Sequence, residues 1–239
     1  MTVDLATPSV TVTLDSGPTG GGDIDDFELF YARRALRRLK GLISRESLVE
    51  LLGPAIEEGT GFLRAHALES HGEFRCGTTV LSARGIAAAR FLGWMDKAFS
   101  DQGVLLAAHP EHYAITNQPD ATVHIVENIG PHVCSFFLGD WASEAMAWAA
   151  DASELLPEAD FPFKKATNMF LPDGTIFGRL LTQFGDLDGG FAAHLTVYLP
   201  ASCPKDVVEH HLRHFAVEFR NWIVNAASDL ARADGGEHS

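Results

Sequence analysis

Two pairs of residues in this 239-residue chain have the types and spacing to hold a metal ion. The first pair is His214 and Glu218. They stand four positions apart, so a helix would set both on one face, one turn from each other. Imidazole and carboxylate are both good donors to a hard or borderline divalent ion. Val208, Leu212, Phe215, Phe219 and Trp222 form the apolar stripe of the same segment, Val207 to Val224. The His/Glu pair falls at the edge of that stripe, which aims it at a cavity rather than at water. An ordinary helix with a polar edge has the same pattern. His210 also stands four positions from His214 but points farther from the stripe, and His211 lies within it. His211 reads either as a group packed beside the ligands or as a satisfied core histidine.

The second pair must come from outside this helix. Over the expected strand Thr122–Ile129, alternation sets Val123, Ile125, Glu127 and Ile129 on one face. A carboxylate among aliphatic side chains is costly unless it is paired, protonated or bound to a cation. The alternative is a strand-end Glu that reaches water. His124 has the opposite parity and is expected to be exposed. The segment His109-Pro110-Glu111-His112-Tyr113 is the other dense cluster, and its proline stiffens the backbone. His112 leads into an extended stretch and is the better donor, with His109 as the fallback. His112, Glu127, His214 and Glu218 together make a His2Glu2 set that suits zinc, with manganese or iron possible.

The elements that must position these residues fall in a clear order. Residues 1–22, rich in Gly, Ser, Thr and Pro, read as a flexible arm with a short strand possible at Val10–Leu14. Asp23-Ile24-Asp25-Asp26 gives an N-cap and a negative first turn to a helix from about Asp25 to Leu42, and Ser44–Glu57 forms a second helix, with the pattern broken at Gly59–Gly61. Residues 23–71 thus make a helical subdomain and a candidate dimerisation element. From residue 72 the texture changes to strands at Phe74–Ser82, Tyr113–Thr116, Thr122–Ile129, Val133–Leu138, Ala166–Leu171, Ile176–Gln183 and Phe191–Leu199. Helices are expected at Ile86–Phe99 and Trp141–Ala150, and Val104–Ala108 reads as extended. Pro172–Thr175 is strong hairpin chemistry, and the glycine-rich Gly185–Gly190 reads as another hairpin turn. Residues 72–233 form the main domain and 234–239 a disordered tail. Strands in the middle and a long closing helix give an α+β class, a curved antiparallel sheet gripping the C-terminal helix over a cavity.

Composition narrows the function classes. The net charge of −14 argues against nucleic acid and against anionic membranes. No apolar run is long enough to span a bilayer, and the N-terminus lacks a secretory pattern. Cys76, Cys134 and Cys203 form neither a CxxC pair nor a disulfide framework, and read as free thiols of a cytoplasmic protein. No GxSxG, P-loop or Rossmann fingerprint is present.

The segments HPEHY with His112, VENIG with Glu127, and HFAVEFRNW with His214 and Glu218 resemble the metal-ligand motifs of the phloretin and 2,4-diacetylphloroglucinol hydrolases. Trp94 in FLGWMDKAF is similar to a tryptophan-bearing helix in the same relative place. The resemblance runs from about Thr78 to Ile223, with a compressed spacing between His112 and Glu127. It implies a Bet v 1-like helix-grip domain, a homodimer through an N-terminal element, and zinc-dependent hydrolysis of the carbon–carbon bond between an acyl group and a phenolic ring. Tyr113, Asn117 and Trp94 would then meet the substrate. The departing ring carbon needs a proton, which His132, His194 or His211 could supply. His194 ranks first, with Tyr198 on its face of the last strand. The alternatives are a metal-free carrier or polyketide cyclase-like protein of the same fold, and a metal enzyme of another class such as an oxygenase or a lyase.

Overall fold

The computed structural model describes residues 22–139, 148–149 and 152–236. The expected strand Val10–Leu14 and most of the expected helix Trp141–Ala150 lie outside these residues. The chain divides into two compact units, residues 1–44 and 45–239. The first of the expected helices falls in the first unit, and the boundary after Ser44 lies within residues 23–71.

In the first unit, helix α1 spans Ile24–Leu42. Asp23 and Asp26 close a reciprocal capping box, each carboxylate accepting from the other's backbone N–H at 3.0 Å. Leu29, Phe30, Tyr31 and Leu39 of this helix are exposed.

The second unit opens with α2 (Arg45–Leu51) and α3 (Gly53–Glu69). The expected break at Gly59–Gly61 does not occur. Gly59 has a packing role: a Cβ there would collide with the Val133 carbonyl, so its absence lets α3 lie directly on the sheet. The strands are β1 (Phe74–Arg84), β2 (His112–Asn117), β3 (Val123–Ile129), β4 (His132–Leu138), β5 (Phe163–Phe170), β6 (Ile176–Leu187) and β7 (Gly190–Pro200). They form one antiparallel sheet in the order β1-β7-β6-β5-β4-β3-β2. Both expected hairpin turns are present, with Gly174 and Gly189 at positive φ.

Between β1 and β2 lie α4 (Ala88–Ala98) and α5 (Gln102–Ala107). The segment read as extended from Val104 is thus helical. Asp101 caps it, its side chain accepting from the Gly103 N–H at 3.0 Å, a local signal that outweighs the β-leaning Val104. Helix α6 runs from Lys205 to Gly236, into the stretch expected to be a tail.

The grip of the sheet on α6 is specific. Thr79 donates to the Leu212 carbonyl at 2.8 Å, and a Cβ on Gly77 would strike Leu212 and Val208. Val208, Phe215, Phe219, Trp222 and Ala226 join one core with Ala193, Leu195, Val197 and Leu199 of β7. At about 25 cal/mol per Å2, burying this apolar stripe is what fixes the helix on the sheet. The fold is therefore the expected α+β helix grip. Among the described residues, no helix is long and apolar enough to cross a membrane.

Candidate metal centre

His214 and Glu218 do not sit at the edge of the α6 stripe but inside it. His211, His214, Phe215, Glu218, Phe219 and Trp222 are all buried, whereas His210 is exposed. Polar groups at core positions of a helix demand partners. The sheet supplies them through a local irregularity. The β2–β3 register runs Asn117↔Val123 to Ala114↔Val126, then shifts so that His112 faces Glu127. The bulge at Tyr113 carries the register shift that brings His112 opposite Glu127, and directly opposed residues project to the same side.

The four side chains converge. His112 Nε2 lies 3.0 Å from His214 Nε2, 3.3 Å from Glu127 Oε2 and 3.4 Å from Glu218 Oε1. His214 Nε2 is 3.7 Å from the same Glu127 oxygen. Four donors held tetrahedrally at zinc distances stand about 3.3 Å apart. The measured separations bracket that value. The donor chemistry agrees. The Nδ1 of His112 is 3.0 Å from the Leu105 carbonyl, which can only accept. Nδ1 therefore carries the proton and Nε2 presents its lone pair to the cluster, the arrangement expected of a metal-binding imidazole. Asn221 Nδ2 donates to the Ala108 carbonyl and ties α6 to the loop leading into the cluster.

His109 is the third histidine at this point, with its ligating nitrogen within 4.8 Å of those of His112 and His214. Its ring stacks on His214 at 3.6 Å, and its Nδ1 accepts the Glu111 N–H at 3.1 Å. The carboxylates of Glu127 and Glu218 stand 3.3 and 3.4 Å from His112 Nε2, so three imidazoles and two carboxylates meet at this point.

Burial sets the electrostatics of the cluster. Burial, then the charge of Glu111, holds the Glu127 carboxyl far above the usual range, at about 8. Burial, then Glu127, raises Glu218 as well. Burial, then the neighbouring His109, pushes His214 down to about 3. Neutral imidazoles are the donor state that a divalent ion requires, and the two carboxyls would release their protons to bind one.

Two adjoining cavities lead to this point. The inner one, about 70 Å3, is lined by Glu127, Glu218 and His211 among apolar side chains. The outer one, about 240 Å3, shares Phe99, Thr182, Phe219 and Trp222 with it and opens past Asp96, Asn117 and Lys165. His211 has a buried Nδ1 without a hydrogen-bond partner among the described residues, and its ring lies 5.3 Å from that of His214. Its pKa is held well below the usual value by burial and then by His214 and His109.

Several expected site residues lie elsewhere. His194 and Tyr198 share the parity of Thr196, on the sheet face away from α6. There His194 packs edge-on to Phe161, and Tyr198 joins Ala166, Leu181 and Trp148. The alternation of β7 decides this, since Leu195, Val197 and Leu199 take the face under the helix. His132 stacks on Phe62 of α3. Trp94 lines an outer groove between α4 and α6, where its Nε1 donates to Asp229 at 2.9 Å, so it is an interhelix tie and not a cavity wall. Asn117 does line the outer cavity, with its amide donating to the Phe99 carbonyl at 2.8 Å. Tyr113, the bulge residue, is half-buried, and burial raises its hydroxyl pKa. Lys165 and the Leu105 carbonyl were not anticipated. A lysine at an inward-parity position between Phe163 and Thr167 was the signal for the first.

Neither family models nor curated proteins give a match to the chain. Among solved structures, it is similar to Ara h 8.0201, at 10% identity over 65% of this chain and 99% of that one, with a TM-score of 0.43. It is also similar to a protein of Rhizobium leguminosarum (12% identity, 64% and 96% coverage, TM-score 0.36) and to Ms6760 from Mycobacterium smegmatis (15% identity, 68% and 98% coverage, TM-score 0.34).

Proposed function

We propose that the protein is a metal-dependent hydrolase, with zinc as the first choice of ion, that cleaves the carbon–carbon bond between a ketone carbonyl and an electron-rich aromatic ring. One observation carries the reading: His112, Glu127, His214 and Glu218 converge within 3.0–3.7 Å contacts, and the two carboxylates line a mostly apolar, aromatic-walled cavity. A divalent ion held by these four would polarise the carbonyl and lower the pKa of a water.

The remaining work falls to the chain's own side chains. Phe99, Phe136, Phe215, Phe219 and Trp222 give the ring a dry seat and keep bulk water out. Cleavage adds one water across the bond: the acyl carbon leaves as a carboxylic acid and the ring carbon takes a proton. His211 is placed to move that proton. It lines the inner cavity, is neutral because it is buried, and has an uncommitted Nδ1. It takes the role first expected of His194, which lies on the other face.

Metal content and acylphenol turnover, measured on one preparation, test this. About one zinc per chain is expected, with both metal and turnover lost in His214→Ala and Glu218→Ala. Full turnover in those variants would overturn the reading. The predominance of aromatic and aliphatic side chains in the cavity lining favours a second reading, a metal-free carrier of hydrophobic ligands. That protein would bind its ligand unchanged after either substitution.

A further inference from the structure

We propose that the outer cavity is a subsite for an anionic group carried by an aromatic ligand, with Lys165 as the residue that recognises it. Strand alternation puts Lys165 on the α6-facing side of β5 with Phe163 and Met169, while Ala166 packs into the cluster on the other face. A lysine at an inward position of a helix-grip sheet is out of place unless its ammonium has work at the cavity. It reaches across the mouth to Asp96 of α4, Nζ to Oδ1 at 2.7 Å, and both residues line the outer cavity.

The surroundings leave Lys165 as the discriminating group. Phe91, Phe99 and Phe184 supply aromatic walls, and the Asn117 amide is engaged with the Phe99 carbonyl. Among the described residues that line either cavity, Lys165 is the only lysine or arginine. The chain's net charge of −14 gives an incoming anion no general attraction, so selection must be local. The ion pair is partly exposed, Lys165 at 39% and Asp96 at 65%. Asp96 can therefore turn to water and cede the ammonium to a ligand carboxylate or phenolate at little loss. The ligand orientation that follows, ketone towards the four metal donors and anion towards Lys165, rests on the hydrolase reading. The subsite itself does not.

A matched pair of probes separates the two. Naphthylacetate and naphthylacetamide have the same shape and differ in charge. Calorimetric titration of the full chain, with and without prior chelation, should show the acid preferred. Lys165→Met should weaken the acid about three- to tenfold, a partly exposed charge-assisted bond, and leave the amide unchanged. Lys165→Arg should keep the preference, and Asp96→Asn should strengthen acid binding. Equal binding of both probes, binding of neither, or an undiminished preference in Lys165→Met would each overturn the subsite. A preference that survives Lys165→Met but vanishes on chelation would put the carboxylate on the metal donors and would also overturn it. A preference that depends on Lys165 in a protein that takes up no metal would sustain the subsite while sinking the hydrolase reading.

Discussion

The two faces of the sheet each draw a carboxylate away from bulk water, and they treat it in opposite ways. Under α6, Glu127 meets imidazole nitrogens and other carboxylates, and its pKa rises through burial and then Glu111. On the other face, Glu154 accepts from the Tyr198 hydroxyl at 2.8 Å, the Cys76 thiol at 3.0 Å and the Ser153 hydroxyl at 2.9 Å. Burial alone would raise Glu154 too, but the hydrogen bonds from Cys76, Tyr198 and Ser153 outweigh it and the pKa falls. Arg179 completes that region, stacked 4.6 Å over Phe74 and 5.1 Å over Trp148. A carboxylate supplied with donors is part of the fold's own bonding. One set among imidazoles and other carboxylates has the donor chemistry that the proposed metal centre would use.

The largest test makes the two conditions of the α6 face disagree. In metal-free protein the Glu127 carboxyl takes up a proton on folding, because its folded pKa of about 8 exceeds its ordinary 4.5. Its contribution is therefore complete below pH 4.5 and is lost as pH rises towards 8. Glu127→Gln should raise the metal-free stability near neutral pH by about 2 kcal/mol, and lower zinc affinity by about a hundredfold or more. Thermal melts with and without zinc check both halves. A Glu127→Gln protein less stable than the parent in chelator would mean the carboxylate is satisfied by the fold, and the contrast between the faces would collapse.

The sequence carried the fold further than it carried the site. Hydrophobic alternation and the α6 stripe were enough for the sheet, the grip and the inward direction of Glu127. The donor pair His214/Glu218 was legible because helical spacing is rigid. What stayed hidden depended on register. The bulge at Tyr113 changes which way His112 points relative to Glu127, and nothing in HPEHY announces it. The parity of His194 and Tyr198 was read correctly, but alternation alone does not say which face α6 covers. Only the packing of Leu195 and Val197 against the helix decides that. The Leu105 carbonyl that orients His112 was out of reach as well, since its helix depends on one capping aspartate.

A second, smaller effect sharpens the contrast from the other side. Tyr198→Phe removes the hydroxyl that donates to Glu154 and leaves a ring of the same shape among Ala166, Leu181 and Trp148. A hydrogen bond to a charged acceptor is worth about 1.5–3 kcal/mol, and the part-exposed carboxylate brings the expected loss to about 1–2 kcal/mol. Denaturant melts should show that loss with no change in zinc content or turnover. A variant that kept its stability but lost turnover would return Tyr198 to the chemistry and join the two faces into one site.

The smallest effect lies in how the network around Glu154 responds to pH, and its sign opposes that of Glu127. Glu154 has a lowered folded pKa, so its contribution is present above about 4.5, its ordinary value, and is lost as pH falls through the folded one. At the alkaline end the same network resists ionisation. Burial and then Glu154 push the Cys76 thiol from 9.0 to about 11, and Tyr198 rises for the same reasons. A thiol that keeps its proton on folding contributes stability below pH 9.0 and loses it on the way to 11. Cys76→Ala should flatten that part of the stability profile by less than about 1 kcal/mol, since the group is only half-buried, and leave the part due to Tyr198 in place. Between pH 4.5 and 6.5 the lowered His211 and His214 offset the raised Glu127 and Glu218, so chelated protein should fall in stability through the α6 face from 6.5 towards 8, and the Cys76→Ala difference should emerge only above 9. If the Cys76→Ala difference already opened near neutral pH, the thiol would be ionising there, and Glu154 could not be the satisfied carboxylate that sets this face apart from the other.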